Sequence, residues 1–223
     1  MFLVKMNYMD LEQKRKFLLD EISKFEKFLN EWNKEGWGSL DFFSRLKRNF
    51  SRFLYSPLST FSFLLFRLLP IKKKIKIFKL RDIVLQGGNA SSSMLYFGFL
   101  IDTVELKLTK FFIKNLQPND IFYDIGANYG YYTYLALEFC KEVHSFEPLK
   151  ECIESLKFNL NNIDRVYINE IALADKEGTT KFYIAGNLYG LSSIKSNVLS
   201  FNNLTIREVL TTTLDKYIYE KKS

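Results

Sequence analysis

Two carboxylates, each at the end of a short apolar run, carry the clearest chemistry in this sequence. Asp124 lies near the end of Ile121-Phe-Tyr-Asp-Ile125, and Glu147 ends Val143-His-Ser-Phe-Glu147, 23 residues further on. Between them, Gly126-Ala-Asn-Tyr-Gly130 leads into a helical stretch from Tyr131 to Phe139. Strand, glycine loop and helix form the layout in which a nucleotide-like ligand meets backbone amides at the carboxyl edge of a parallel sheet. Gly126 allows a tight turn without a Cβ, and Gly130 allows the helix to pack close to the strand. A second strand-end acid at this interval suits a ribose diol, because one carboxylate can accept both hydroxyl protons.

Asp124 separates two cofactor classes. In a nicotinamide site the loop amides and the helix dipole face a pyrophosphate, which a carboxylate repels. S-adenosylmethionine (SAM) brings a cationic ammonium and sulfonium, which an acid attracts. The chain also lacks a G-x-G-x-x-G run, so an NAD-dependent dehydrogenase is disfavoured. His144, the only histidine, admits a catalytic reading, but its place in an apolar strand predicts a buried structural role. Cys140 and Cys152 are the only cysteines, and no Cys or His stands near them at zinc-ligand spacing. No metal site and no disulfide framework is expected, and both read as reduced thiols.

A helix over Glu151 to Asn161 and a third strand over Val166 to Ala172 extend the pattern to β-α-β-α-β, which predicts an α/β fold with a parallel sheet. A helix over Val104 to Leu116, ended by Pro118-Asn119-Asp120, precedes the first strand. Further upstream, Leu11, Leu18, Ile22, Phe25, Leu29 and Trp32 follow one another at steps of 7, 4, 3, 4 and 3, the mark of an amphipathic helix over 11–34. It is either a partner helix or a helix docked on its own domain. A second helix is expected from Ser39, with Phe43, Leu46, Phe50 and Phe53 on one face and Arg45, Lys47, Arg48 and Arg52 around it; Pro57 ends it. Leu58 to Leu69 is apolar but only 12 residues long, about 18 Å as a helix against a hydrocarbon core of about 30 Å. Lys74-Ile-Lys-Ile77 alternates as a strand. Gly87-Gly88-Asn89 reads as a turn and Ser91 to Ser93 as a loop.

The composition, 47% hydrophobic and 17% aromatic, is that of a folding chain, and 223 residues suffice for one domain with an appendage. The organisation expected is a basic, mainly helical region over 1–80 and a catalytic-type domain over 81–223. Residues 1–80 hold 17 Lys and Arg against 8 Asp and Glu, and the remainder 15 against 17. An acidic partner surface is therefore expected for the first part, weak peripheral contact with anionic lipid before nucleic acid; the alternative is a helical cap on the domain with solvated lysines. No secretory signal is legible in the first ten residues, so the location expected is cytoplasmic, peripheral to the inner face of a membrane if the lipid contact holds.

Five ordered motifs give this pattern a family. Phe122-Tyr-Asp-Ile-Gly-Ala-Asn-Tyr-Gly-Tyr-Tyr132, Phe146-Glu-Pro148, Asn169-Glu-Ile-Ala-Leu-Ala-Asp-Lys-Glu-Gly178, Ser192-Ser193 and Thr212-Thr-Leu-Asp215 resemble the FkbM family of methyltransferases. The resemblance implies a Rossmann-like class I methyltransferase sheet, SAM as cofactor, and methylation of a hydroxyl on a sugar, glycan or other natural product. It further implies that Asp124, Gly126, Ala127, Asn128 and Gly130 line the methionine end of SAM, that Glu147 holds the ribose, and that Ala172 and Leu173 border the adenine. One departure stands out. In the family a run resembling Lys-Ile-Asp-Val-Glu-Gly follows the Thr-Leu-Asp step, whereas here Lys216-Tyr-Ile-Tyr-Glu-Lys-Lys-Ser223 follows. The domain is therefore expected to be incomplete after its third parallel strand, no catalytic base is identifiable, and a SAM-binding chain working with a partner is the alternative expectation.

Overall fold

The structure, a computed structural model, describes residues 9–32, 42–185, 188–194 and 204–222. The chain divides into two compact units, Met1–Asn115 and Leu116–Ser223. The boundary expected at residue 80 falls inside the first unit, because strands β1 (Lys72–Ile77) and β2 (Arg81–Gln86) pair across it as an antiparallel hairpin.

In the first unit, helix α1 (Leu11–Trp32) buries Leu18, Ile22, Phe25, Leu29 and Trp32, the stripe its 3–4 spacing dictates. It is docked on its own unit. The Arg15 guanidinium donates to Ile113 O at 2.6 Å, and Lys110 meets Glu26 at 2.6 Å, which ties α1 to the helix Thr103–Asn115 (α5, after the one-turn helix α4, Ala90–Ser93). Trp32, Phe63 and Phe97 form an aromatic cluster with edge-on pairs at 5.1–5.2 Å, a geometry that complements ring quadrupoles.

Helices α2 (Phe42–Tyr55) and α3 (Pro57–Leu68) meet at Ser56, with Pro57 opening α3 rather than merely ending α2. Arg52, expected among the cations around the apolar face of α2, is 1% exposed, with its guanidinium 4.1 Å from the Trp32 ring centroid. Its backbone carbonyl accepts from Thr60 Oγ1, which in turn accepts from Trp32 Nε1. The expected start at Ser39 and the side chains of Phe43, Arg45 and Arg48 lie outside the described residues. Ser91 to Ser93, expected as a loop, belong to a one-turn helix, α4 (Ala90–Ser93), because Asn89 Oδ1 caps it by accepting from Ser92 N at 2.7 Å.

The second unit holds the β-α-β-α-β core. Strands β3 (Ile121–Ile125), β4 (Glu142–Phe146) and β5 (Val166–Asn169) form a parallel sheet in the order β3-β4-β5. Helices α6 (Tyr131–Ala136) and α7 (Lys150–Leu160) make the crossovers. This is an α/β, Rossmann-like arrangement with β3 at the edge of its sheet. The register Tyr123↔His144↔Tyr167 puts three rings on one face, and Asp124↔Ser145↔Ile168 faces the other way.

The expected strand Val166 to Ala172 splits in two. Asn169 ends β5, and Ala172–Leu173 (β6) joins a second sheet of order β6-β9-β7-β8, with β7 Gly178–Ala185, β8 Leu188–Ser193 and β9 Thr205–Thr212. Ala172 pairs in parallel with Thr211, and Leu173 with Thr212. Helix α8 (Leu214–Lys222) follows, where Thr213 Oγ1 accepts from Lys216 N at 3.1 Å.

Candidate functional site

The loop after β3 is held by its own backbone and by β4. Gly126 N and Ala127 N both donate to Phe146 O, at 2.9 and 3.0 Å, and Gly130 N donates to Ala127 O at 2.7 Å. Gly126, Asn128 and Gly130 stand at φ +77°, +50° and +84°, left-handed values that glycine takes without penalty and asparagine tolerates best among the rest. A Cβ on Gly126 would meet nothing within 4 Å, whereas one on Gly130 would overlap Leu156 Cδ2 and lie 3.2 Å from Tyr134 Cε2. The two glycines thus differ in purpose. Gly126 borders open space, and Gly130 makes room for α7 as well as opening α6.

Glu147 ties loop and strand together. Its Oε2 accepts from Asn128 N at 2.8 Å and its Oε1 from Leu149 N at 2.9 Å, and the residue is 5% exposed. Burial pushes its carboxyl up to about 7, with the negative charges of Asp124 and Glu151 adding to the rise and the two backbone donors opposing it. Each carboxylate oxygen keeps an unused lone pair. Asn128 also accepts through Oδ1 from Cys152 Sγ at 3.3 Å, a thiol that burial holds in its protonated form.

Asp124 sits one layer deeper. Its Oδ2 accepts from Thr133 Oγ1 at 2.6 Å, and Thr133 Oγ1 lies 2.7 Å from Ser145 Oγ. Because the Thr133 hydroxyl spends its one proton on Asp124, Ser145 is the donor in the second bond. Burial raises the Asp124 carboxyl to about 6 against the hydrogen bonds from Thr133. The structure therefore brings Asp124, Gly126, Ala127, Asn128, Gly130 and Glu147 together around the ends of β3 and β4. Ala172, buried, and Leu173, half-buried, stand in the second sheet, three residues beyond the end of β5.

Sequence reasoning missed Thr133 and Ser145, whose separations from Asp124 match no motif. It also missed Leu149 N as a partner of Glu147, although a carboxylate followed by Pro148 is a recognisable turn that returns to the backbone two residues on. On the opposite face of the sheet, His144 is 1% exposed. Its Nδ1 lies 2.8 Å from Tyr217 Oη and its Nε2 3.4 Å from Glu142 Oε2, and its ring stacks between Tyr123 and Tyr167.

Strand-end acids, a glycine loop with left-handed turns and crossover helices make up a Rossmann-like strand, loop and helix arrangement. Residues 124–223 match the family model described as the methyltransferase FkbM domain. The matched segment is thus similar to the methyltransferase domain of the family that the five motifs resemble. No curated protein matches the sequence. Among solved structures, wild-type Trm5b from Pyrococcus abyssi matches at 19% identity with a TM-score of 0.33, over 47% of this chain and 31% of that one, a likeness too distant to define more. The chain thus spans about a third of that protein's length.

Proposed function

We propose that the second unit binds SAM and that the methyltransferase acts on a hydroxyl of a sugar or other natural product. The observation that carries this reading is the bond from Asn128 N to Glu147 Oε2, 2.8 Å, which holds the glycine loop against the acid that receives the ribose. The site fits the cofactor in two further respects. The space beside Gly126 is open, and both Glu147 oxygens have a lone pair left for a ribose hydroxyl. Gly126 and Ala127 offer a surface without bulky side chains to the methionine end. Asp124, bonded internally, acts on a cationic cofactor through the loop, its charge weakly screened in the buried interior. Ala172 and Leu173 supply an apolar border for the adenine. When bound, SAM supplies a methyl group activated by its sulfonium, ready for attack by a nucleophilic oxygen.

A second reading, a SAM-binding chain that works with a partner, is favoured by the edge position of β3, where Ile121 and Ile125 are 47% and 58% exposed. Equilibrium binding of SAM, S-adenosylhomocysteine and NAD, followed by methyl-label transfer to hydroxylated acceptors, tests both. SAM binding with label transfer supports the first reading. Binding without transfer supports the second, and NAD binding in place of SAM overturns both.

A further inference from the structure

Helices α2 and α3 each carry several apolar side chains on the outside. On α2, Leu46, Phe50, Phe53 and Leu54 are 48–67% exposed, while Arg52 is the residue turned inward. On α3, Leu58, Phe61, Leu65 and Leu68 follow one another at steps of 3, 4 and 3 and are 85%, 58%, 37% and 74% exposed. The inner face of α3 is already filled by Thr60, Phe63 and Phe66. Helix α3 therefore buries one stripe against the unit and presents a second one to solvent. Leu69 and Ile71 carry exposed apolar surface on towards β1. Apolar side chains gathered in this way exceed the scatter expected of a soluble surface and mark an interaction face.

The charge around this face selects its partner. From Phe42 to Leu80 there are ten cations, Arg45, Lys47, Arg48, Arg52, Arg67, Lys72, Lys73, Lys74, Lys76 and Lys79, and no Asp or Glu. Arg52 is withdrawn onto Trp32, and Asp82 holds Lys74 and Lys76 at 3.1 and 3.2 Å, so part of the charge is compensated within the unit. The excess remains cationic. A nucleic acid would match the charge but would leave the exposed Phe and Leu side chains in water. A lipid surface receives both. No described helix is long and apolar enough to cross a membrane, and α3, 12 residues long, is suited to lie along an interface instead.

We propose that α2 and α3 lie flat in the interface of an anionic lipid bilayer, with Leu46, Phe50, Phe53, Leu58, Phe61 and Leu68 inserted and the lysines at the headgroup level. The structure changes the sequence expectation in one respect: insertion of an apolar face leads and the cations assist, with Arg52 taking no part.

The test is cosedimentation of the full chain with vesicles of phosphatidylcholine alone and of phosphatidylcholine with phosphatidylglycerol. Partitioning at least about tenfold stronger on the anionic vesicles, weakened by salt, is expected. The doubly substituted Leu58→Glu/Phe61→Glu chain, altered only at outward positions and checked for unchanged circular dichroism, is expected to stay in the supernatant. In a second measurement, Phe61→Trp is expected to shift its emission to the blue on anionic vesicles only. Equal recovery in both supernatants, or equal binding to both vesicle types, overturns the proposal. So does saturable RNA binding without vesicle binding. A stable dimer that Leu58→Glu/Phe61→Glu dissociates, again without vesicle binding, assigns the face to a second copy of the chain and overturns it too.

Discussion

Replacing Gly130 by alanine tests whether the glycine loop is positioned by close packing against α7. Two costs apply. The residue stands at φ +84°, and a Cβ in the left-handed region costs about 1–2 kcal/mol. The added methyl group also overlaps Leu156 Cδ2 and lies 3.2 Å from Tyr134 Cε2, overpacking of a kind that costs about 1–3 kcal/mol. The sum, about 2–5 kcal/mol, is a large part of the stability of an ordinary domain. Gly126→Ala is the matched control. Its φ of +77° carries the same backbone cost, but its Cβ meets nothing within 4 Å, so about 1–2 kcal/mol is expected. Both tryptophans lie in the first unit, so fluorescence would report on the wrong unit. Urea dependence of hydrogen exchange in peptides spanning 121–160 is the suitable assay. Leu156→Ala in the Gly130→Ala background removes the overlapping atom, and the pair is expected to be less costly than the sum of the single changes. Equal costs for the two glycine variants, or strict additivity in the cycle, would refute the packing argument.

The acids of the site predict an inverse pH dependence. Glu147 titrates at about 7 in the folded chain against 4.5 ordinarily, so its contribution to stability is complete below about pH 4.5 and is lost as the pH rises through 7, about 3 kcal/mol in all. Asp124 acts in the same sense between 3.8 and about 6. Unfolding of the Glu147→Gln variant across this range is expected to show a shallower fall, and an unchanged slope would contradict the assignment. His144 has the opposite sign, because burial and then the Lys221 charge lower its value below 6.5 while Glu142 opposes them. Its contribution is complete above pH 6.5 and is lost as the pH falls towards the folded value. As the only histidine, it can be followed by the proton resonance of its ring, which is expected to titrate below 6.5; titration above 6.5 would contradict the buried, neutral assignment.

The fold was legible where local pattern and tertiary role coincide. The stripe from Leu18 to Trp32 gave α1, and the strand, glycine loop and second acid gave the place of the site. It was illegible where a break leaves no local mark. Nothing in Glu170-Ile171 signals that β5 ends and β6 passes to another sheet, since neither Gly nor Pro intervenes and the cause is the distant pairing with Thr211 and Thr212. Helix α6 stops at Ala136, before the expected Phe139, through tighter turns from Glu138 N to Leu135 O and Phe139 N to Ala136 O. Arg52 reads as one of several cations around an apolar face until Trp32, 20 residues away in sequence, supplies the ring on which it stacks. The inward bonding of Asp124 likewise depends on Thr133 and Ser145, whose arrival beside it is a product of the crossover and not of any motif.

Calorimetric titration of the full chain with SAM and S-adenosylhomocysteine, for the wild type, Glu147→Ala and Asp124→Asn, tests the central claim most directly. If Glu147 receives the ribose, its replacement removes charge-assisted bonds worth about 1.5–3 kcal/mol each, and affinity for both ligands is expected to fall by at least about tenfold. Asp124→Asn is expected to weaken SAM more than S-adenosylhomocysteine, which lacks the sulfonium charge. A wild-type chain that binds SAM, together with a Glu147→Ala variant that binds it equally well, would contradict the assignment of this site.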